Sequence, residues 1–451
     1  MKNNSLRLLC ASVMMAMASN AGAQGVITTV AGTGTAGFSG DGGLASAARL
    51  STPAGVATDA DGNIYIADKS NHRVRMISAS TGMISTYAGT GAYGYSGMGG
   101  AATAAAIEYP NAIYCDNSGN VFVSDHFADV GYRIDGATHM IANICGNGTQ
   151  GCSGDGGGGC FARMCVPDGI YGDNSGNIYL LDVGNHRIRK VDAGTGIVNT
   201  FAGTFAGPYA NGTHISVTSF GTMNGICSDI HGNLYIADGG NHCVRKVDAL
   251  TGNVRTIAGT PGVAGNTGDG GSATVARLNM PKALFVNNDG YLFICDPNSN
   301  VVRVVNLNTG IINTLAGNGS MGFSGDGGSP LTAKLAMPTG VWEDAAGNIY
   351  IADAGNHRVR KITGSGYKFA TASGTVSTEA TIFPNPSNGS FTVVTPGNAT
   401  LEVFNIAGVK VYADYLAASQ TTVTLNQPSG VYTVKVNSAS GTTVEKITIA
   451  R

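Results

Sequence analysis

The segment GFSGDGGLASAARL, residues 37–50, places four glycines and one acid, Asp41, ahead of a short apolar run. Such a stretch suits a phosphate cradle, a calcium loop or a connection between strands. Recurrence separates them. The element begins at Gly40, Gly97 (as GMGG), Gly154, Gly268 and Gly325, with spacings of 57, 57, 114 and 57. A second marker, an Asp closing an apolar strand, falls at Asp68, Asp125, Asp182, Asp238, Asp296 and Asp353, in steps of 57, 57, 56, 58 and 57. Six copies of one unit therefore fill residues 25–366. A phosphate loop needs Lys and Ser/Thr at the head of a long helix, which no copy has. A calcium site needs several oxygen ligands, and each copy offers one acid. We read the element as a connection in which Asp41 caps the turn LASAARL, as Asp155, Asp269 and Asp326 do in theirs. Leu50, Ile107, Met164, Phe220, Leu278 and Leu335 follow as an apolar column that seats it.

Each copy holds four strand-like runs separated by turn chemistry; in the first they are GVATD (55–59), NIYIAD (63–68), RVRMI (73–77) and MISTYAG (83–89). Six units of four antiparallel strands predict an all-β, six-bladed β-propeller. The sixth copy stops after its third strand at 358–362, while VITTVA (26–31) matches a fourth strand. The N-terminal strand is thus expected to complete the last blade and close the ring, removing a sheet edge.

The motifs DKSNHRVRMI, DVGNHRIRKV, DGGNHCVRKV and DAGNHRVRKI resemble the signature of NHL-repeat propellers, and the resemblance runs through all six copies. It implies the fold; members serve as binding platforms, signalling ectodomains and, in some cases, enzymes. After a Gly/Ser/Thr-rich linker (367–378), residues 379–451 change pattern. IFPNPSNGSFTVV, LEVFNIAGVKVY, PSGVYTVKV and EKITIAR read as strands of a small Ig-like β-sandwich. They are similar to the C-terminal sorting domain of type IX secretion cargo. That resemblance implies partnership with the type IX machinery, and secretion to or beyond the outer surface of a Gram-negative bacterium.

Composition agrees with export. Lys2 and Arg7 precede an apolar run (Leu8–Ala18) and then Ala21, Gly22 and Ala23, the layout of a signal peptide over residues 1–23. Arg7 interrupts the residues that a lipoprotein cysteine at Cys10 would need. No later run approaches a membrane span. With 26 basic and 28 acidic residues and no basic block, nucleic acid is a poor partner.

A residue recurring in most blades answers a need common to all blades, and one that changes is free for a local role. His72, His186, His242 and His357 recur in equivalent turns and are read as structural rather than as metal ligands. The arginines Arg73 and Arg75, or Arg358 and Arg360, are read as solvated or paired between blades. No cofactor is implied, with calcium the one alternative. Function is expected at the mouth of the channel, where the residue after the Pro opening each inner strand gives Ala54, Asn111, Asp168, Asn224, Lys282 and Thr339. Two irregular segments are assigned to the same face: DHFADVGYRI, with Asp125, His126 and Asp129, and FAGPYANGTHISVTSF, with Tyr209, Asn211 and His214.

Cys145, Cys152, Cys160 and Cys165 cluster without zinc-finger spacing and are expected to form two disulfides; Cys115, Cys227, Cys243 and Cys295 are expected as buried thiols. The expected function is a platform binding an extracellular glycan or protein. The alternatives are a lyase or hydrolase at the mouth and a structural surface-layer protein. Amidating lyases resemble the fold but hold a metal with channel histidines, which the mouth column lacks, and Asp168 and Lys282 lie on separate blades.

Overall fold

The computed structural model describes residues 25–203, 213–363, 381–383, 389–394, 399–416, 420–438 and 441–449. The expected signal peptide (1–23) and linker (367–378) lie outside these. Two compact units result, one within Ala23–Tyr367 and one within Lys368–Arg451.

The first unit is a ring of six antiparallel sheets. Blade one runs from its inner strand Pro53–Thr58 through Ile64–Asp68 and Arg73–Ile77 to the outer strand Met83–Ala88. Blades two to five repeat this order, and blade six takes Val26–Ala31 as its outer strand, paired antiparallel with Arg358–Thr363. The ring closes as the truncated sixth copy requires. The apolar column Leu50, Ile107, Met164, Phe220, Leu278 and Leu335 is buried throughout. The second unit packs a three-stranded against a four-stranded sheet around Phe391, Leu401, Val403, Val434 and Ile447. There the Asn405 amide oxygen accepts from the Ala407 and Val409 N–H groups and fixes a hairpin turn.

One carboxylate organises each blade. Asp68, Asp125, Asp182, Asp238, Asp296 and Asp353 are fully buried. Each accepts the backbone N–H of the segment entering the inner strand of its blade: Ser51, Glu108 with Tyr109, Cys165, Gly221, Asn279 and Ala336, at 2.7–2.8 Å. In blades one, three, four and six the Asn three residues later donates to the same carboxylate. The next residue is left-handed (His72, His186, His242, His357, with Asn300 and Asp129 in the other blades). Side chains at these positions reach across to the next blade, where His72 Nδ1 meets the Glu108 carbonyl oxygen. Val166 N–H donates to Asp129 Oδ1, Met280 N–H to His242 Nδ1, Met337 N–H to Asn300 Oδ1 and Thr52 N–H to His357 Nδ1, all within 3.1 Å. Their donors are left-handed as well. His242 and His357 are thus latches between blades with Nδ1 accepting, whereas His72 latches with Nδ1 donating to the Glu108 carbonyl.

Two expectations are corrected. Asp41 caps no turn: it forms an ion pair with Arg75 and accepts from Thr86 Oγ1 at 2.7 Å, and Asp155, Asp269 and Asp326 take up Arg189, Arg303 and Arg360 in the same way. Arg75 and Arg360 are therefore neither solvated nor paired between blades. They are fully buried within their own blades, each between a loop acid and the closing Asp. Gly40 lets the loop approach: its φ is +92°, and a Cβ there would sit 2.7 Å from Ala48 Cα. Blade two lacks both charges of the loop contact, with Met98 for the acid and Tyr132 for the arginine; the Tyr132 hydroxyl donates to Asp125 at 3.2 Å.

The four expected disulfide cysteines are all free. Cys145 faces the core beside Ala162, Met164 and Val198, whereas Cys152 and Cys160 are exposed, so these thiols occupy different layers. Cys115, Cys227, Cys243 and Cys295 are buried as expected.

Removing one member of a buried charge pair strands the other. Arg189→Ala is expected to destabilise the propeller by about 3–5 kcal/mol in denaturant unfolding. Arg187→Ala, on the same strand but half exposed, should cost under about 1 kcal/mol. Equal losses would contradict this account. Burial also pushes Asp68, Asp182, Asp296 and Asp353 up to about 6. Folded carboxyls with raised pKa hold more protons than unfolded ones at about 3.9, so their stabilisation is complete below that value and lost as pH rises through about 6. His357, lowered by burial, opposes this alone among the histidines with a shift. The melting temperature should be higher at about pH 5 than at about pH 7; a fall on acidification would contradict the burial argument.

Candidate functional site at the channel mouth

The inner strands line the axis in four layers. The first is the polar column Ala54, Asn111, Asp168, Asn224, Lys282 and Thr339; the second is small (Gly55, Ala112, Gly169, Gly225, Ala283, Gly340); the third is aliphatic (Val56, Ile113, Ile170, Ile226, Leu284, Val341). The small layer is enforced by approach of neighbouring blades: a Cβ on Gly225 would lie 2.1 Å from the Lys282 carbonyl oxygen. At the far end Tyr114, Tyr171, Phe285 and Trp342 meet, with ring centroids 4.9 Å apart for the tyrosines and 4.7 Å for Phe285 and Trp342. Trp342 Nε1 donates to Thr58 Oγ1 at 2.9 Å. The cavity left between is about 60 Å³, room for a few waters and not for a sugar ring.

At the mouth the structure joins three of the expected residues and one that sequence comparison missed. His126 Nδ1 lies 2.6 Å from Asp168 Oδ1, which also accepts from Asn111 Nδ2 at 3.1 Å. The Asn111 amide oxygen accepts from Lys69 Nζ at 2.9 Å. Lys69, Asn111, Asp168 and His126 thus form one hydrogen-bonded arc across blades one to three. Ser124 Oγ donates to the Asp168 carbonyl and accepts from Ala112 N–H at 3.0 Å, fixing the strand beneath. Lys69 and His126 each follow the buried Asp of their blade, so that carboxylate sets their position. Blades three to six carry Val183, Gly239, Pro297 and Ala354 there. Across the six blades this column sets Lys69 and His126 apart from the apolar residues and glycine of the others.

The arc has an aromatic border. Lys69 Nζ lies 4.6 Å from the Tyr109 ring centroid, Tyr109 packs on Phe127 at 5.0 Å, and Phe127 meets the His126 ring at 4.8 Å. Phe127 is 50% exposed. Farther round, Asn224 Nδ2 donates to the Pro281 carbonyl at 3.2 Å and Thr339 Oγ1 to that of Pro53 at 3.3 Å. Lys282 is half-buried and makes no hydrogen bond to a described side chain. Burial and the charge of Lys282 lower Lys69 to about 8, against the pull of Asp168 and Asp125.

Two candidates stand elsewhere. Asp129 is buried, its carboxylate occupied by the Val166 N–H latch. His214 does not reach the mouth: Thr213–His214 pairs with the outermost strand of blade four, where His214 borders a separate groove with Phe201 and Thr251. An outer-to-inner connection begins at the rim, and this one leaves it only after His214. Tyr209 and Asn211 lie outside the described residues. Among the described residues no three His, Cys, Asp or Glu side chains gather as a metal site.

Comparison with known proteins fits these observations. Residues 381–450 match the secretion system C-terminal sorting domain, residues 50–75 the NHL repeat and residues 226–324 the teneurin NHL domain. The chain is an NHL-repeat propeller carrying a type IX sorting domain. The sorting domain indicates secretion or display at the outer surface, and among the described residues no helix is long and apolar enough to cross a membrane.

The chain is 28% identical to Protein SUPPRESSOR OF QUENCHING 1 of Arabidopsis thaliana over 63% of its length and 27% of that protein. It is 26% identical to NHL repeat-containing protein 2 of Bos taurus over 59% of its length and 40% of that protein. It therefore spans less than half of either relative. Among solved structures, a protein of unknown function and an auxiliary nutrient binding protein, both from Bacteroides thetaiotaomicron, superpose with TM-scores of 0.58 and 0.54 at 17% identity. The superpositions cover 74% and 75% of this chain, and 75% and 76% of theirs. These likenesses concern the fold.

The position of Lys69 is open to direct titration. Competitive acylation of the folded protein followed by peptide mass spectrometry should give Lys69 a half-reactive pH of about 8, against about 10.4 for an ordinary lysine. A Lys69 midpoint at the ordinary lysine value would contradict its desolvated setting.

Proposed function

We propose that this NHL-repeat protein is an extracellular glycan-binding module with its site at the channel mouth. The observation that carries the reading is the hydrogen-bonded arc Lys69–Asn111–Asp168–His126 bordered by the rings of Tyr109 and Phe127. A sugar presents an apolar face of C–H groups and a rim of hydroxyls. Exposed rings beside preorganised donors and acceptors complement both. The polar groups already hold one another, so little side-chain freedom remains to be lost on binding. The sorting domain supports a role among extracellular polymers. The mature chain on a glycan array should bind a restricted set, with Phe127→Ala and Asp168→Asn each weakening binding about tenfold or more. Binding indifferent to both substitutions, or none by folded protein, would contradict the reading.

A second reading rests on the 2.6 Å contact between His126 and Asp168, which orients the imidazole and leaves Nε2 without a described partner. That is the arrangement of a general base. Turnover of a glycan ligand whose kcat falls far more than its KM rises in His126→Ala would favour it.

A further inference from the structure

We propose that the ligand of this mouth is an acidic glycan, its carboxylate seated between Lys69 and Lys282 with the sugar ring on Tyr109 and Phe127. The inference rests on the glycan reading and adds to it the charge and orientation of the ligand.

Three observations lead to it. Lys282 lines the axial cavity together with Asn111, whose amide oxygen holds Lys69 Nζ at 2.9 Å, so half-buried ammonium groups from blades five and one border one mouth. The polar groups beside them in the first layer, Asn111, Asn224 and Thr339, are neutral. The one carboxylate of that layer, Asp168, is engaged by His126 and Asn111 and makes no ion pair with either lysine. Two like charges share a confined surface without a carboxylate joining them. A bound anion supplies that partner. The second constraint is size. A cavity of about 60 Å³ admits a carboxylate and water but no pyranose, so the charged group points inward while the ring stays at the rim. Phe127 and Tyr109 stand on that rim. A uronic acid, with its carboxylate projecting from one edge of the ring, has this shape.

Titratable groups around Lys69 are Lys282, Asp168 and Asp125, with His126 completing the arc and Tyr109 beneath the ammonium. The lysine charge disappears through about pH 8 while the carboxylates stay ionised, so affinity for an acidic sugar falls over that range.

The test uses the mature full-length chain and calorimetric titration with oligogalacturonate, the matching neutral oligosaccharide and a sulfated oligosaccharide. Oligogalacturonate should bind at least about tenfold more tightly than its neutral counterpart. That advantage should disappear in Lys282→Met and Lys69→Met, while Phe127→Ala weakens both ligands. Raising the pH from about 7 to about 9, or salt from about 0.05 to about 0.5 M, should reduce wild-type affinity for the uronate alone. The pH and salt series need no substitution, so the inference stays testable if a lysine variant fails to fold. Neutral and acidic ligands binding equally would overturn the inference and leave the glycan reading standing. So would preference for the sulfated ligand over the uronate, or uronate binding insensitive to both lysines. No glycan binding by folded protein would overturn both.

Discussion

Each blade of this propeller is held by a carboxylate out of contact with water. The aspartate closing the second strand accepts the N–H of the chain entering the inner strand of the same blade, and so ties two segments 16 or 17 residues apart. A buried carboxylate is tolerable only when its hydrogen bonds are satisfied. This requirement fixes the following turn, through the asparagine that donates to it, and in most blades the arginine that faces it. The left-handed residue ending that turn then latches the next blade. Local satisfaction of one acid is thereby passed around the ring, until the strand at residues 26–31 completes the last sheet.

The site follows from the same constraint. The residue after each buried aspartate is delivered to the mouth beside the residue that follows the first position of the next inner strand. In four blades it is apolar or glycine, and nothing results. In blades one and two it is Lys69 and His126, which meet Asn111 and Asp168. Blade two is also where the framework has been rebuilt, with Tyr132 in place of the buried arginine and Ala128 in place of the asparagine. The hydrogen-bonded arc therefore lies where the repeat departs from itself, over a scaffold whose positions are kept by the blades that conform.

Much of this was legible in the residues. The ring closure could be read because a truncated sixth copy and an orphan strand are complementary, and the apolar column because it recurs at one position. Asn111, Asp168 and His126 emerged from comparing blades. Lys69 did not, because it stands outside the inner-strand column, in the turn after the buried aspartate. What failed depended on contacts between distant segments. Asp41 was read from its neighbours as a cap, whereas its partner Arg75 lies 34 residues on, in the third strand. The cysteines near blade three are close in sequence but occupy different layers. His214 sits in a connection that crosses from rim to axis, and spacing alone does not give a residue its radius.

The claim on which the account turns is that recognition occurs at the mouth, on the arc across blades one to three. Hydrogen–deuterium exchange of the mature protein with and without saturating oligogalacturonate addresses it directly. The account predicts protection confined to the chain around Lys69, Tyr109–Asn111, Asp125–Asp129, Asp168 and Lys282, with the outer strands and the sorting domain unchanged. Protection centred instead on His214 and Thr251, at the rim of blade four, would contradict it.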